Sequence, residues 1–130
     1  MSLTLHLLAD TLAVCRLEPQ ARVPAWAGQG AFSAVTRTPD ELSLICPQAS
    51  VPPGVLCEPD WRALKVAGPL GFSMVGVLAG IAGALARASI SLFAVSTFDT
   101  DYILVKNADL SGAIAALERD GYIVHQAAQS

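Results

Sequence analysis

A chain of 130 residues holds one compact domain, or two small ones that share a core. It is 53% hydrophobic and only 15% charged, more apolar than a small soluble monomer can readily hide, which points to paired subdomains, an oligomer or both. The net charge is −3 and the eight Lys and Arg residues are scattered, which argues against a phosphate-binding surface and against nucleic acid as a partner.

Residues 3–8 and 11–17 are apolar runs separated by Ala9-Asp10, and read as the two strands of a β-hairpin. His6, in the first run, reads as a packed or edge residue. Glu18-Pro19 ends the second strand. Residues 23–28, with Pro24 near the start and Gly28 at the end, predict a short helix or turn that Trp26 packs onto the sheet. Residues 31–36 predict a strand, Thr38-Pro39-Asp40-Glu41 a turn, and residues 42–46 the next strand. Pro47, Pro52, Pro53 and Pro59 then punctuate a stretch with little regular structure, which divides the chain into subdomains 1–59 and 60–130.

The second subdomain opens with a strand over residues 61–67, a loop Gly68-Pro69-Leu70-Gly71, and a helix over residues 73–89 with Ser73 as its N-cap. At 100° per residue Met74, Leu78, Ile81 and Leu85 fall in one stripe that should lie on the sheet. Opposite lie Gly76, Gly80, Gly83 and Arg87, where a solvated helix would carry Lys and Glu. That small-residue face predicts a close partner helix and hence a homodimer. The uncharged run from Val66 to Ala86 has about the ~20 residues of a membrane span. Gly68-Pro69 breaks it early, and each interior glycine costs about 1 kcal/mol of helix propensity, so no membrane association is expected.

Residues 90–98 predict a strand, Asp99-Thr100 a turn and residues 102–106 the returning strand. Asn107 or Asp109 caps a second helix in which Leu110, Ile114 and Leu117 fall at helical spacing. Gly121 closes it, and residues 122–125 form a last strand. The order β-α-β-β-α-β, two helices on one face of a four-stranded antiparallel sheet, is the α+β ferredoxin-like plait. A weak internal repeat with a shift of 60 aligns Val35-Thr36 with Val95-Ser96, Glu41 with Asp101, and Leu44-Ile45 with Leu104-Val105.

Chemistry is sparse. Cys15, Cys46 and Cys57 are odd in number, form no Cys-x-x-Cys, and read as buried reduced thiols rather than metal ligands or redox groups. No secretory signal pattern follows Met1, so the cytoplasm is the default. No Gly-x-Ser-x-Gly, His-Glu-x-x-His or paired-carboxylate spacing is present, and nothing calls for a metal or cofactor.

Gly68-Pro-Leu-Gly-Phe-Ser, the helix end Leu85-Ala-Arg-Ala-Ser-Ile, and Ser96-Thr-Phe-Asp-Thr-Asp-Tyr-Ile-Leu-Val resemble the ACT domain, a β-α-β-β-α-β regulatory module for amino acids. Phe32-Ser-Ala-Val-Thr-Arg-Thr-Pro-Asp-Glu-Leu-Ser-Leu-Ile resembles the tandem ACT proteins related to the CASTOR arginine sensors and to aspartate kinase regulatory domains. The likeness covers most of the chain and is most specific at Ser-Thr-x-x-Thr-Asp-Tyr. The first half departs from a full ACT pattern, since its helix around Trp26 is short and no Gly-rich loop precedes it. The resemblance implies a ligand where the loop after the first strand meets the second strand of a neighbouring ACT domain, hence Leu70, Gly71, Phe72 and Ser73 together with Ser96, Thr97, Phe98 and Asp101. The physical chemistry agrees: a loop that opens a helix offers free N–H groups to a carboxylate, and Asp101 offers an acceptor to an ammonium or guanidinium. Asp99 and Asp101 also read simply as turn residues, and Ser73 simply as a cap. Three functions remain open at this point: a non-catalytic amino-acid sensor, a dimerisation module with a vestigial site, and a small enzyme.

Overall fold

The structure, a computed structural model, describes residues 3–67 and 76–129. Its elements in chain order are β1 (Thr4–Leu17), β2 (Ala34–Arg37), β3 (Leu42–Pro47), β4 (Cys57–Val66), α1 (Val77–Arg87), β5 (Phe93–Ser96), β6 (Asp101–Lys106), α2 (Leu110–Arg119) and β7 (Ile123–Gln129). Single 3-10 turns occupy Ala25–Gly28, Gln48–Ser50 and Asn107–Asp109.

The expected hairpin at Ala9-Asp10 does not form; β1 is one strand of 14 residues. Ala9-Asp10 lacks the positive-φ pair that a two-residue hairpin requires. Each half of β1 instead has its own neighbour. Thr4, Leu5 and His6 pair in parallel with Ile123, Val124 and His125 of β7, while Leu12–Leu17 pair antiparallel with β3.

The chain forms two compact units, one of Met1–Ala9 with Arg62–Ser130 and one of Asp10–Trp61. β1 and β4 each pass through both. In the first unit the strands lie in the order β7-β1-β4-β6-β5. This is the expected plait β4-α1-β5-β6-α2-β7 with one addition: β1 stands between β4 and β7, where a four-stranded plait would pair them directly. Its core holds Leu5, Leu64, Val66, Ile81, Leu85, Ile103, Val105 and Leu117. Ile81 and Leu85 are buried as their helical spacing requires, with Leu78 packed at the margin. In α2, Ile114 and Leu117 are buried and Leu110 packs against the same core.

The cap of α1 lies three residues after the expected one. Its N-cap is Gly76 at φ 82° and ψ 3°, a left-handed conformation that glycine adopts without the Cβ clash other residues meet. Ser73 and Met74 lie outside the described residues. The glycines of α1 also have explanations within the chain. A Cβ on Gly80 would sit 2.6 Å from the Tyr122 hydroxyl oxygen, and one on Gly83 would reach Arg87 Nη1 at 3.4 Å. The chain's own Tyr122 and Arg87, the latter paired with Asp120, thus lie along part of this face. β5 is shorter than expected, because Ser89 at φ 60° and the Ile90 amide bonded to Leu85 O keep the chain turning before the strand starts.

The second unit orders its strands β2-β3-β1-β4 over a core of Ala13, Cys15, Ala27, Leu42 and Leu44. Trp26 packs the Ala25–Gly28 turn onto that core, as its position predicts.

The internal repeat is real as a pair of hairpins but its offset is 59, not 60. β2–β3 pairs Arg37 with Leu42, and β5–β6 pairs Ser96 with Asp101. Both turns close with the same bond, Thr38 N to Glu41 O at 2.9 Å and Thr97 N to Thr100 O at 2.8 Å. Thr38 therefore corresponds to Thr97, Glu41 to Thr100 and Leu42 to Asp101. A one-residue slip exchanges the two faces of a strand, so the correction changes which side chains are equivalent.

Candidate functional site

The β5–β6 turn brings the described candidates together. Ser96 and Asp101 face each other as the last pair of the ladder, and Ser96 Oγ donates to Asp101 Oδ1 at 2.6 Å. A carboxylate has four lone-pair sites, so this bond orients Asp101 and leaves acceptor capacity for a cation. Thr97 Oγ1 donates to Thr100 O at 3.0 Å and accepts from the Thr100 amide at 3.3 Å, which sets the turn. Phe98 at its tip is 80% exposed. Asp99 is exposed beside it.

Thr100, in the same turn, is a residue that sequence reasoning does not single out. It is 4% exposed, the buried polar residue of the described core, and its Oγ1 donates to Val66 O at 2.7 Å. Val66 is the last residue of β4. This bond therefore ties the turn to the strand end from which the chain enters residues 68–75. Leu70, Gly71, Phe72 and Ser73 lie outside the described residues.

The hydroxyl–carboxylate pair is not repeated in the second unit. At the corresponding register stand Arg37 and Leu42. Leu42 is fully buried, and Arg37 donates to Pro19 O and to Ala21 O.

The second unit carries a different feature, an open depression of about 420 Å³ lined by Val14, Cys15, Arg16, Glu41, Ser43, Leu56, Cys57 and Glu58. Cys15 and Cys46 are buried, Cys57 is half-buried, and all three are free thiols. Burial first, then the adjacent Cys46 and Cys57, pushes the Cys15 thiol up to about 12 from an ordinary 9.0. Burial likewise raises Cys46. In the unfolded chain Cys15 ionises at its ordinary value, so its contribution to stability is complete below pH 9.0 and is lost as pH climbs towards about 12. Thermal melts under reductant from pH 8 to 11 should show this alkaline decline, and Cys15→Ser should flatten it. An identical decline in the variant would assign it to other groups.

Among the described residues no group of three or more His, Cys, Asp or Glu is arranged to hold a metal. No described helix is long and apolar enough to cross a membrane.

Comparison with known proteins gives the class. Residues 56–119 match the ACT domain, and residues 10–54 match a second family described as an N-terminal domain. The chain has 32% identity to a protein from Agrobacterium tumefaciens solved by X-ray crystallography, with a TM-score of 0.94 over 99% of this chain and 96% of that one. The chain thus carries, over residues 56–119, a domain of the ACT family, a family of regulatory modules.

Among named relatives, 60 residues are 43% identical to the Cytosolic arginine sensor for mTORC1 subunit 1 of Homo sapiens, covering 45% of this chain and 18% of the sensor. The chain thus matches under a fifth of the length of that curated relative. The fold is shared with aspartate kinase from Clostridium acetobutylicum, at a TM-score of 0.68 and 12% identity over 91% of this chain and 34% of that one. It is shared also with the regulatory subunit of aspartate kinase from Thermus thermophilus, at 0.61 and 12% over 86% and 93%.

Proposed function

We propose that the protein is a non-catalytic, amino-acid-binding regulatory module of the cytoplasm that works as a homodimer. Residues 60–130 form its ligand-binding ACT domain and residues 1–59 a degenerate partner. The observation that carries this reading is the Ser96–Asp101 pair, held at a turn that Thr100 anchors to the end of β4. Asp101 holds the ligand's ammonium or guanidinium, and the backbone N–H groups of Gly71, Phe72 and Ser73 take its carboxylate, with Leu70, Thr97 and Phe98 around its body. Arginine binding by the named sensor supports a cationic amino acid as the first ligand to try. The apolar composition, with Leu56 68% exposed and Phe98 80% exposed, supports association of two copies.

Calorimetry with each common amino acid tests the proposal. One ligand should bind, and Asp101→Ala should weaken it tenfold to a hundredfold, about the 1.5–3 kcal/mol of a charge-assisted hydrogen bond. Asp99→Ala, at an exposed turn position, should change little. Equal and negligible losses at both positions would place any site elsewhere. Silence across the whole screen would favour the dimerisation module.

A further inference from the structure

The depression of the second unit gathers charged groups that the fold leaves open. All its residues lie within Asp10–Trp61, so it belongs to one compact unit. Ala13, Cys15, Leu42 and Leu44 turn to the core, so the alternating Val14, Arg16 and Ser43 share the reverse face of the sheet. Arg16 stands opposite Ser43 of β3, and its amide donates to Leu56 O at 3.0 Å, which sets Leu56 on its other side, just before β4. Glu41 precedes Ser43 by two residues and Glu58 follows Leu56 by two, so one carboxylate stands towards each end of the strip. Arg16 Nη2 donates to Asp40 O at 2.9 Å, and Nη1 lies 3.9 Å from Glu18 Oε1. Both partners lie at the Glu41 end, so the guanidinium leans away from Glu58 and keeps most of its N–H donors open. Among the described residues, none bonds to or pairs with the side chains of Glu41, Ser43 or Glu58.

We propose that this depression is a second small-molecule site, which takes a dipeptide with its carboxylate on Arg16, its ammonium on Glu58 and its side chains over Val14 and Leu56. Its 420 Å³ falls within the roughly 300–1,000 Å³ typical of small-ligand pockets. The separation of the charges selects the length of the ligand. Diagonal neighbours across a strand pair have Cα atoms about 7–8 Å apart, and the Arg16 head leans further from Glu58. A single α-amino acid carries both charges on one carbon and cannot reach, whereas two extended residues span about 7 Å. The Ser43 hydroxyl, opposite Arg16, adds a second donor for the same carboxylate. Glu41 leaves the lining with one carboxylate more than it has cations, so an acidic side chain on the ligand is disfavoured. The depression is open, so solvent screens both ion pairs and added salt should weaken binding. None of these residues belongs to the β5–β6 turn, so the inference stands apart from the function proposed there.

The test is calorimetry of the whole chain with alanyl-leucine, which should bind saturably. Leucine alone lacks the span, and N-acetyl-alanyl-leucine and alanyl-leucinamide each lack one end charge. All three should bind about tenfold more weakly or worse, as should alanyl-glutamate, and none of these comparisons needs a variant to fold. Glu58→Gln and Arg16→Gln should each weaken alanyl-leucine about tenfold, the low end for a charge-assisted bond, because the site is open. Leu56→Ala should weaken it too, while its thermal melt matches wild type. Absence of binding by alanyl-leucine, equal binding of leucine or of the two blocked peptides, or undiminished affinity in Glu58→Gln would each overturn the proposal. Loss of binding in Asp101→Ala would place the dipeptide at the β5–β6 turn and overturn it as well.

Discussion

Leu64→Ala is expected to remove about 2–5 kcal/mol of stability, the range for emptying a buried leucine site that cannot fully collapse. Leu64 lies on β4 with no exposed surface, in the core that also holds Leu5, Val66, Ile81 and Ile103. Its neighbours come from β1, α1 and β6, so no single element can relax to fill the space. Domains are stable by only about 5–15 kcal/mol, so the change consumes a large share of the total. Urea denaturation should show the midpoint falling. Leu56→Ala, at a position 68% exposed, should stay within about 0.5 kcal/mol of wild type. A similar small effect at Leu64 would mean that the core around β4 is looser than the burial implies.

Gly30→Ala should be nearly as damaging, for a different reason. Gly30 has φ 82°, and a Cβ there would lie 2.2 Å from Pro47 Cγ and 3.2 Å from Pro47 Cδ. The left-handed conformation costs a non-glycine residue about 1–2 kcal/mol. Displacing a rigid proline ring at the end of β3 adds about 1–3 kcal/mol of overpacking. Gly54 is the control. It has φ 88° and open space within 4 Å of where a Cβ would sit, so Gly54→Ala should cost the conformational part alone. Thermal melts of the two variants separate the contributions. Equal losses would show that the loop at Gly30 swings clear of Pro47.

The plait was legible because its signals are local. The stripe of Ile81 and Leu85, the Leu110, Ile114 and Leu117 spacing, and the acidic turn between β5 and β6 each lie within a dozen residues. The course of β1 was not legible. Two apolar runs around Ala9-Asp10 look the same whether the chain folds back or continues, and what decides is β7, more than a hundred residues further on. The Gly76 cap was hidden for a related reason, since glycine inside an apolar run reads as a weak helix residue until its φ is known. Ser96 and Asp101 were legible as a motif, and the structure adds the bond between them. Thr100 was not, because a threonine flanked by Asp99 and Asp101 reads as solvated, and only the arrival of Val66 O buries it.

The pairing of β1 with β7 has a consequence for the order in which the protein is built. Residues 10–61 are contiguous, so their unit can complete while later residues are still being synthesised. The other unit joins strands more than a hundred residues apart, Thr4 against Ile123. Until β7 is made, the leading half of β1 presents an open edge of backbone N–H and C=O groups. Such long-range closure is slow, and a β7 from a second nascent copy offers the same parallel partner. Strand exchange between copies is therefore the misassembly to which this connectivity is most exposed, and the wait for β7 is the interval in which a chaperone would have most to protect.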